Sequence, residues 1–414
     1  MVWQSLLGIG AFLAVAWLLS ENRRRVDLKR AAIGVLLTFS VALILVKVPV
    51  SRGGFILLNR LVLALQQATL AGTSFVFGYL GGGPLPFSET YPGSSFVLAF
   101  QALPMVLVMS ALSSLLFYWK ILPVVVRGFS WGLRKTMGVG GAEGLSNAVN
   151  VFVGMVEAPL FIKPYLGRMT RSELFSVMTC GMANIAGTVM ALYAALIGAA
   201  VPDAMGHILI ASIISLPASI TVAKIMIPET AAVTEGRMAV AESAASSMDA
   251  VTKGTLQGVE LLLNIIAMLV VLVALVTLAN LALGLLPEVF DTPLTLQRLM
   301  GAIMAPFCWL MGVPWGEAAA AGALMGTKTV FNELIAYIDM GRLTAGTLSP
   351  RSLLIMTYGL CGFANPGSLG IMVGGMGTLA PERRPEIVAL GLRSLVSGTL
   401  TSCILGCVIG VVGA

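Results

Sequence analysis

Two carboxylates and two amides stand where an apolar chain rarely tolerates them. Glu157 lies in NVFVGMVEAP and Glu333 in KTVFNELIAY, both inside otherwise uncharged stretches. Asn184 and Asn365 close two nearly identical phrases, CGMAN and CGFAN, set 181 residues apart. A carboxylate in a membrane interior costs about 2.5–3.5 kcal/mol on insertion scales, so it needs a partner or a task. Carboxylates, amides and hydroxyls together accept and donate hydrogen bonds to a neutral, polyhydroxylated solute. An anion is a poor fit, because Lys328 is the single basic residue near this set. Each residue also has a structural alternative. Glu157 fits the cap of a half-helix, Glu333 an interfacial position at a mouth, and the asparagines fit helix caps. Glu317 in PWGEAAAA reads equally as a ligand or as a charge at a helix N-terminus.

Other chemistries are excluded by what is missing. His207 is the one histidine, which removes a Ser/His/Asp arrangement and a His-rich metal centre. No G-x-x-x-x-G-K-[ST] loop is present, so ATP does not drive this chain. The five cysteines lie in apolar segments without zinc spacing and read as packing residues. The net charge of +6 flanks apolar runs, which is loop chemistry and not a nucleic-acid surface.

The elements that must position these residues are membrane helices. The chain is 57% hydrophobic and 11% charged, with a mean hydropathy of +0.95. Soluble domains carry about 25% charged residues. The apolar runs are continuous and helix-length, unlike the alternation of a β-barrel. The expected fold is an all-α polytopic membrane protein with eight transmembrane helices, near 6–20, 31–46, 94–119, 174–202, 206–223, 258–286, 352–380 and 387–413. The first has no basic region before it and no clear cleavage site, so it reads as a retained span. Residues 140–168 and 297–340 are broken by Pro and Gly and read as two re-entrant helical hairpins. Residues 52–80 and 120–137 read as interfacial helices.

With the N-terminus outside, 17 of the Lys and Arg fall on the inside and 6 on the outside, a clear positive-inside bias. Both termini then lie outside. One unit runs hairpin, broken helix 174–202, helix 206–223; the other runs hairpin, broken helix 352–380, helix 387–413. The same order in opposite orientation is an inverted repeat, whose binding site lies at the midplane between the two copies. The repeated phrase marks the helix breaks. The expected organisation is 1–138 mainly scaffold, 139–230 the first transport repeat, 231–296 a cytoplasmic loop and scaffold helix, and 297–414 the second repeat.

The motifs NVFVGMVEAPL, GVPWGEA, KTVFNELIAY, CGFAN and GTLAPERR, in this order across nearly the whole chain, resemble the concentrative nucleoside transporter family. The resemblance implies a nucleoside substrate, a coupling ion, a homotrimer in a bacterial inner membrane, and an elevator-type transporter with no cofactor beyond that ion. It implies that Gly154, Met155, Val156, Glu157 and Val189 face the nucleobase, and that Glu333, Asn365 and Ser368 hold the ribose, with Phe363 lining the site. A sodium site would use Asn150, Val153, Asn184 and Ile185, partly through backbone carbonyls. Proton coupling through Glu157 or Glu333 is the alternative, as is an uncoupled nucleoside channel or sensor. Where better-known members carry two polar residues at the hairpin tip, this chain has Met155 and Val156. Two hydrogen bonds to a base edge are therefore absent, and tolerance of pyrimidines and purines is expected. PGS follows Asn365 in place of the family's more usual Leu-Ser-Ser.

Overall fold

The computed structural model describes residues 2–47, 49–89, 94–155, 157–236, 244–288 and 293–413. All regular elements among these residues are helical. The first half runs α1 (Val2–Leu18), α2 (Leu28–Lys47), α3 (Pro49–Phe77), α4 (Leu98–Gln101), α5 (Met105–Tyr118), α6 (Ile121–Met137), α7 (Gly141–Asn150), α8 (Lys163–Leu166), α9 (Arg171–Ala183), α10 (Gly187–Ile197) and α11 (Ala204–Met226). There follow α12 (Ser247–Leu283), α13 (Leu296–Met311), α14 (Trp315–Val330), α15 (Glu333–Gly341), α16 (Pro350–Leu360), α17 (Pro366–Leu379) and α18 (Arg384–Val412).

Local chemistry starts several of these helices where the site needs them. Thr170 and Glu173 form a reciprocal capping box at the head of α9. Asn332, Ser349 and Asn365 cap α15, α16 and α17, accepting from the backbone N–H of Ile335, Ser352 and Ser368. Pro350 and Pro366 occupy the first helical position, where a missing N–H costs nothing. Pro366 also pushes Asn365 into extended backbone, which separates α16 from α17. No proline marks the break between α9 and α10. There Gly187 lies directly under the hairpin tip, and a Cβ at 187 would come within 2.4 Å of the Phe152 carbonyl oxygen.

The helices that carry the breaks form the centre. Both α9 and α16 pack on α18 and on α11. In the most apolar 18-residue stretch of α11, 83% of residues are buried, against 6% in that of α12, so α12 turns most of its surface outward. Its long apolar face suits contact with lipid or another subunit. Helix α6 is amphipathic: Leu122, Val126, Ser130, Leu133 and Met137 are buried while Trp131 is exposed, with the Lys135 ammonium over its ring.

Several boundaries differ from the expected ones. Among the described residues, six helical segments are long and apolar enough to cross a membrane by length and composition: 28–47, 98–118, 171–197, 204–226, 247–283 and 381–412. Of the eight spans expected, 6–20 falls in the 17-residue α1, and 352–380 divides into α16 and α17. The second arm of the 140–168 hairpin is a 3-10 segment, Ala158–Ile162, followed by the four-residue α8. Pro159 and Pro164 deny it a continuous α ladder. The stretch 297–340 is three helices rather than two arms. α13 and α14 pack against each other around a turn at Gly312–Pro314, and a second turn at Phe331 and Asn332 starts α15. The expected interfacial segment 52–80 belongs to the 29-residue α3. Helix α12 begins eleven residues before the expected 258, where the Ser246 hydroxyl accepts from the Asp249 N–H.

Candidate functional site

The two helix breaks meet. The Phe363 N–H donates to the Asn184 carbonyl at 3.2 Å, so the α9–α10 break and the α16–α17 break are joined through main-chain atoms. At the second break Asn365 has two tasks. Its Oδ1 accepts from the Ser368 N–H at 2.8 Å, and its Nδ2 donates to Glu333 Oε2 at 3.0 Å. The other Glu333 oxygen, Oε1, accepts from the Tyr193 hydroxyl at 2.7 Å. Glu333 opens α15 and is buried, so one carboxylate ties a hairpin to both broken helices. Tyr193 packs its ring 5.1 Å from that of Tyr337, whose hydroxyl donates to the Thr357 carbonyl at 2.8 Å. Those contacts fix the side on which Tyr193 presents its hydroxyl.

The first hairpin supplies the opposite wall. Gly154 has φ of +130°, in the region that favours glycine, and a Cβ there would stand 2.8 Å from Glu157 Oε2. The tip therefore folds its own carboxylate back over a bare backbone. Met155 is buried, with its Cβ against Gly181 of α9.

These groups enclose a cavity of about 130 Å³. Gly154, Met155, Glu157, Val189, Glu333, Phe363, Asn365 and Ser368 all line it. Every substrate-site candidate named from the sequence is thus in one place, apart from Val156, which lies outside the described residues. A mainly apolar lining with a few convergent polar groups is the usual make-up of a small-molecule site. The sequence did not single out Tyr193, Asn332 or the α12 wall of Leu261, Asn264, Ile265, Met268 and Leu272. Asn264 had a visible signal, the one amide in the apolar run between Glu260 and Asn280, and Tyr193 lies one helical turn beyond Val189. Glu317 is elsewhere: its Oε2 accepts from the Ser349 N–H and hydroxyl at the head of α16.

The four ion-site candidates cluster on the first half. Asn150 ends α7 and donates Nδ2 to the Cys180 carbonyl at 3.1 Å, near the C-terminus of α9. Val153 lines the cavity, and the Ile185 N–H is bonded to Asn184 Oδ1 at 2.9 Å. Asn184 Nδ2, Asn147 Oδ1, Ser146 Oγ and Thr188 Oγ1 are buried without a hydrogen-bond partner. Rotation of the Asn184 amide would point an oxygen where Nδ2 now points. Amide, hydroxyl and carbonyl oxygens at the end of a half-helix suit a hard monovalent cation. Among the described residues no group of three or more His, Cys, Asp or Glu gathers as a divalent-metal site would require.

Away from the cavity, charged pairs bind the loops at one end. Glu21 receives Arg171 at 2.9 Å and Arg393 at 2.7 Å, and Arg171 also reaches Glu386. The guanidinium of Arg171 holds the Glu21 carboxyl below its ordinary range. Lys224 bridges the fully buried Glu143 at 3.0 Å and Glu229 at 3.2 Å.

Known proteins share this sequence and architecture. Residues 207–410 match the family described as "Na+ dependent nucleoside transporter C-terminus", residues 7–80 its N-terminal counterpart, and residues 99–200 a gate family described as "Nucleoside recognition". The chain is 36% identical to the uncharacterized transporter YutK of Bacillus subtilis, over 98% of each protein. It is 31% identical to the nucleoside permease NupC of Helicobacter pylori, over 96% of this chain and 94% of that one. Its fold superimposes on the structure of CNTnw in an inward-facing substrate-bound state with a TM-score of 0.88, at 33% identity, covering 100% of this chain and 98% of the other. A substituted form of CNTnw in an outward-facing state gives 0.90 at 32% identity, covering 100% and 97%.

Proposed function

This chain belongs to the Na+-dependent nucleoside transporter family, a family of transporters and not of enzymes, and from that premise we propose that it is a sodium-coupled symporter importing nucleosides across a bacterial inner membrane. The observation that carries this reading is the convergence of both hairpin tips and both helix breaks on one cavity. Gly154, Met155, Glu157 and Val189 face the nucleobase, and Phe363 lines the site. Glu333, Asn365 and Ser368 hold the ribose hydroxyls, with Tyr193 orienting Glu333. Sodium is carried as co-substrate by Asn150, Val153, Asn184 and Ile185, on the face of the hairpin turned toward α9.

Alternating access follows from which parts share contacts. The second hairpin and both broken helices are tied together through Glu333, Asn365 and the Phe363–Asn184 bond, the first hairpin is tied to α9 through Asn150 and the Cys180 carbonyl, and α12 contributes an apolar wall. Such a unit moves as one body past α12, in an elevator motion, with eight spans counted through α1 and the broken helices. The two repeats are inverted across the membrane, both termini lie outside, and the outward apolar face of α12 takes part in a homotrimer.

Uptake of labelled uridine and adenosine into proteoliposomes tests the reading. Accumulation above equilibrium under an inward sodium gradient is expected. Accumulation under a proton gradient alone would transfer coupling to Glu157 or Glu333, both of which face the cavity. Equilibration without accumulation would mean an uncoupled path.

A further inference from the structure

A nucleobase carries its own donors and acceptors, and the cavity that holds it has to answer them. Three amides line that cavity, Asn264, Asn332 and Asn365. Two of them are already engaged. Asn365 has its oxygen on the Ser368 N–H and its Nδ2 on Glu333. Asn332 has its oxygen on the Ile335 N–H at 3.0 Å, the cap of α15, which leaves it a donor only. Glu333 is engaged too, accepting from Tyr193 with one oxygen and from Asn365 with the other. The first hairpin meets the cavity with Met155, an apolar side chain, beside the Glu157 carboxylate.

Asn264 is different. Its side chain is exposed, lines the cavity and makes no hydrogen bond among the described residues. It stands near the middle of α12 (Ser247–Leu283), and the other residues that α12 gives to the wall, Leu261, Ile265, Met268 and Leu272, are all apolar and follow one helix face. Lipid would leave such an amide unpaired at a cost, whereas a cavity offers it a guest. A primary amide presents a donor and an acceptor side by side. That pair matches uracil, where an N–H stands between two carbonyls, and adenine, where an NH2 stands beside a ring nitrogen. Turning the amide over exchanges the two roles, so one residue serves pyrimidines and purines alike.

We infer that Asn264 is a specificity-determining residue, which hydrogen-bonds the polar edge of the nucleobase from the α12 wall and does the work that Met155 and Val156 cannot do at the hairpin tip. The inference rests on the nucleoside reading proposed above. It divides recognition between elements: the ribose is held by groups of the second hairpin and the broken helix, which are bonded to one another, and the base is read by a group on the helix past which they move.

The test is calorimetric binding to the full-length protein in detergent and sodium chloride. The ligands are uridine, adenosine and a phenyl riboside, in which a benzene ring replaces the base. Asn264→Leu keeps the side-chain size and suits an apolar helix, and Asn264→Ala makes the same deletion without filling the space. Both variants are expected to bind uridine and adenosine about fivefold or more weakly than wild type, the effect of one net hydrogen bond, and to bind the phenyl riboside as wild type does. Unchanged uridine and adenosine affinities in a folded variant overturn the inference and leave the amide to water or a neighbouring subunit. An equal loss for all three ligands also overturns it, because it reports the shape of the cavity and not the reading of an edge. If neither variant folds, wild type still decides against the inference should it bind the phenyl riboside as tightly as uridine. Wild type that binds none of the three removes the nucleoside reading itself, and the inference with it.

Discussion

Asn365 joins Glu333 at 3.0 Å with one end of its amide and caps α17 with the other. A single side chain therefore sets both the direction of a half-helix and the pose of the carboxylate on a different element. Any guest that hydrogen-bonds to Glu333 meets a group already held by Asn365 and Tyr193 and loses little entropy in ordering it.

Replacement of that carboxylate is the most direct test of the ribose site. Glu333→Gln keeps the shape but puts an NH2 group opposite either the Tyr193 hydroxyl or the Asn365 amide. Hydrogen bonds to charged groups are worth about 1.5–3 kcal/mol, so uridine binding by calorimetry should weaken at least about tenfold. Tyr193→Phe should weaken it less, because Asn365 still holds Glu333. Equal affinity in wild type and Glu333→Gln would take Glu333 out of the site.

Selectivity should respond at the first hairpin. Met155→Gln adds an amide to the cavity wall that the first hairpin supplies and should alter the uridine-to-adenosine uptake ratio. One hydrogen bond, at about 1 kcal/mol net, corresponds to roughly a fivefold change. A ratio that stays constant would show that the tip does not read the base.

The approach of hairpin to break is testable by adding one methyl group. In Gly187→Ala the new Cβ would collide with the Phe152 carbonyl, which is backbone and cannot rotate away. Overpacking of this kind costs about 1–3 kcal/mol. The expected result is a lower Tm in detergent and a higher sodium concentration for half-maximal uptake. Wild-type values on both would mean that the tip does not need to touch α10.

Lys224 compensates a carboxylate with no exposure at all, Glu143. Lys224→Met should destabilise by about 3–5 kcal/mol, since it strands that charge. Adding Glu143→Gln to it should recover part of the loss. Thermal unfolding of wild type, both single variants and the double variant decides; additive losses would mean that the pair is not coupled.

Glu21 gives a pH signature. Its carboxyl is held low by Arg171, so its stabilising effect is present above the unfolded carboxylate pKa of about 4.3 and is lost as pH falls through the lower folded value. The pair is partly exposed, which limits the effect to about 1 kcal/mol or less. The Tm difference between wild type and Glu21→Gln should be largest near neutral pH and vanish in acid. A difference that persists at the lowest pH would assign it to packing.

Particular residues explain how far the sequence could be read. Asn184, Asn365, Glu157 and Glu333 were legible because polar groups in apolar segments leave few readings. The breaks were legible through Gly and Pro. The α12 wall was not: Leu261, Ile265 and Met268 are ordinary helix residues, and only packing decides which of them meets the cavity. The stretch 297–340 holds two separate turn signals, Gly312–Pro314 and Asn332, and since either alone closes a hairpin the sequence does not separate two arms from three helices. In the second arm after Glu157 the apolar pattern points to a helix, while Pro159 and Pro164 leave it a 3-10 segment and a four-residue α8.

The joint between the two breaks is made by the N–H of Phe363 and the carbonyl of Asn184. Neither atom belongs to a side chain. The two copies of the phrase are thus free to drift apart in sequence, as Met182 and Phe363 or Ile185 and Pro366 already differ, without loosening the seam between them. Ancestry can fade from the letters of such a protein while its symmetry stays fastened by the one component that mutation does not rewrite.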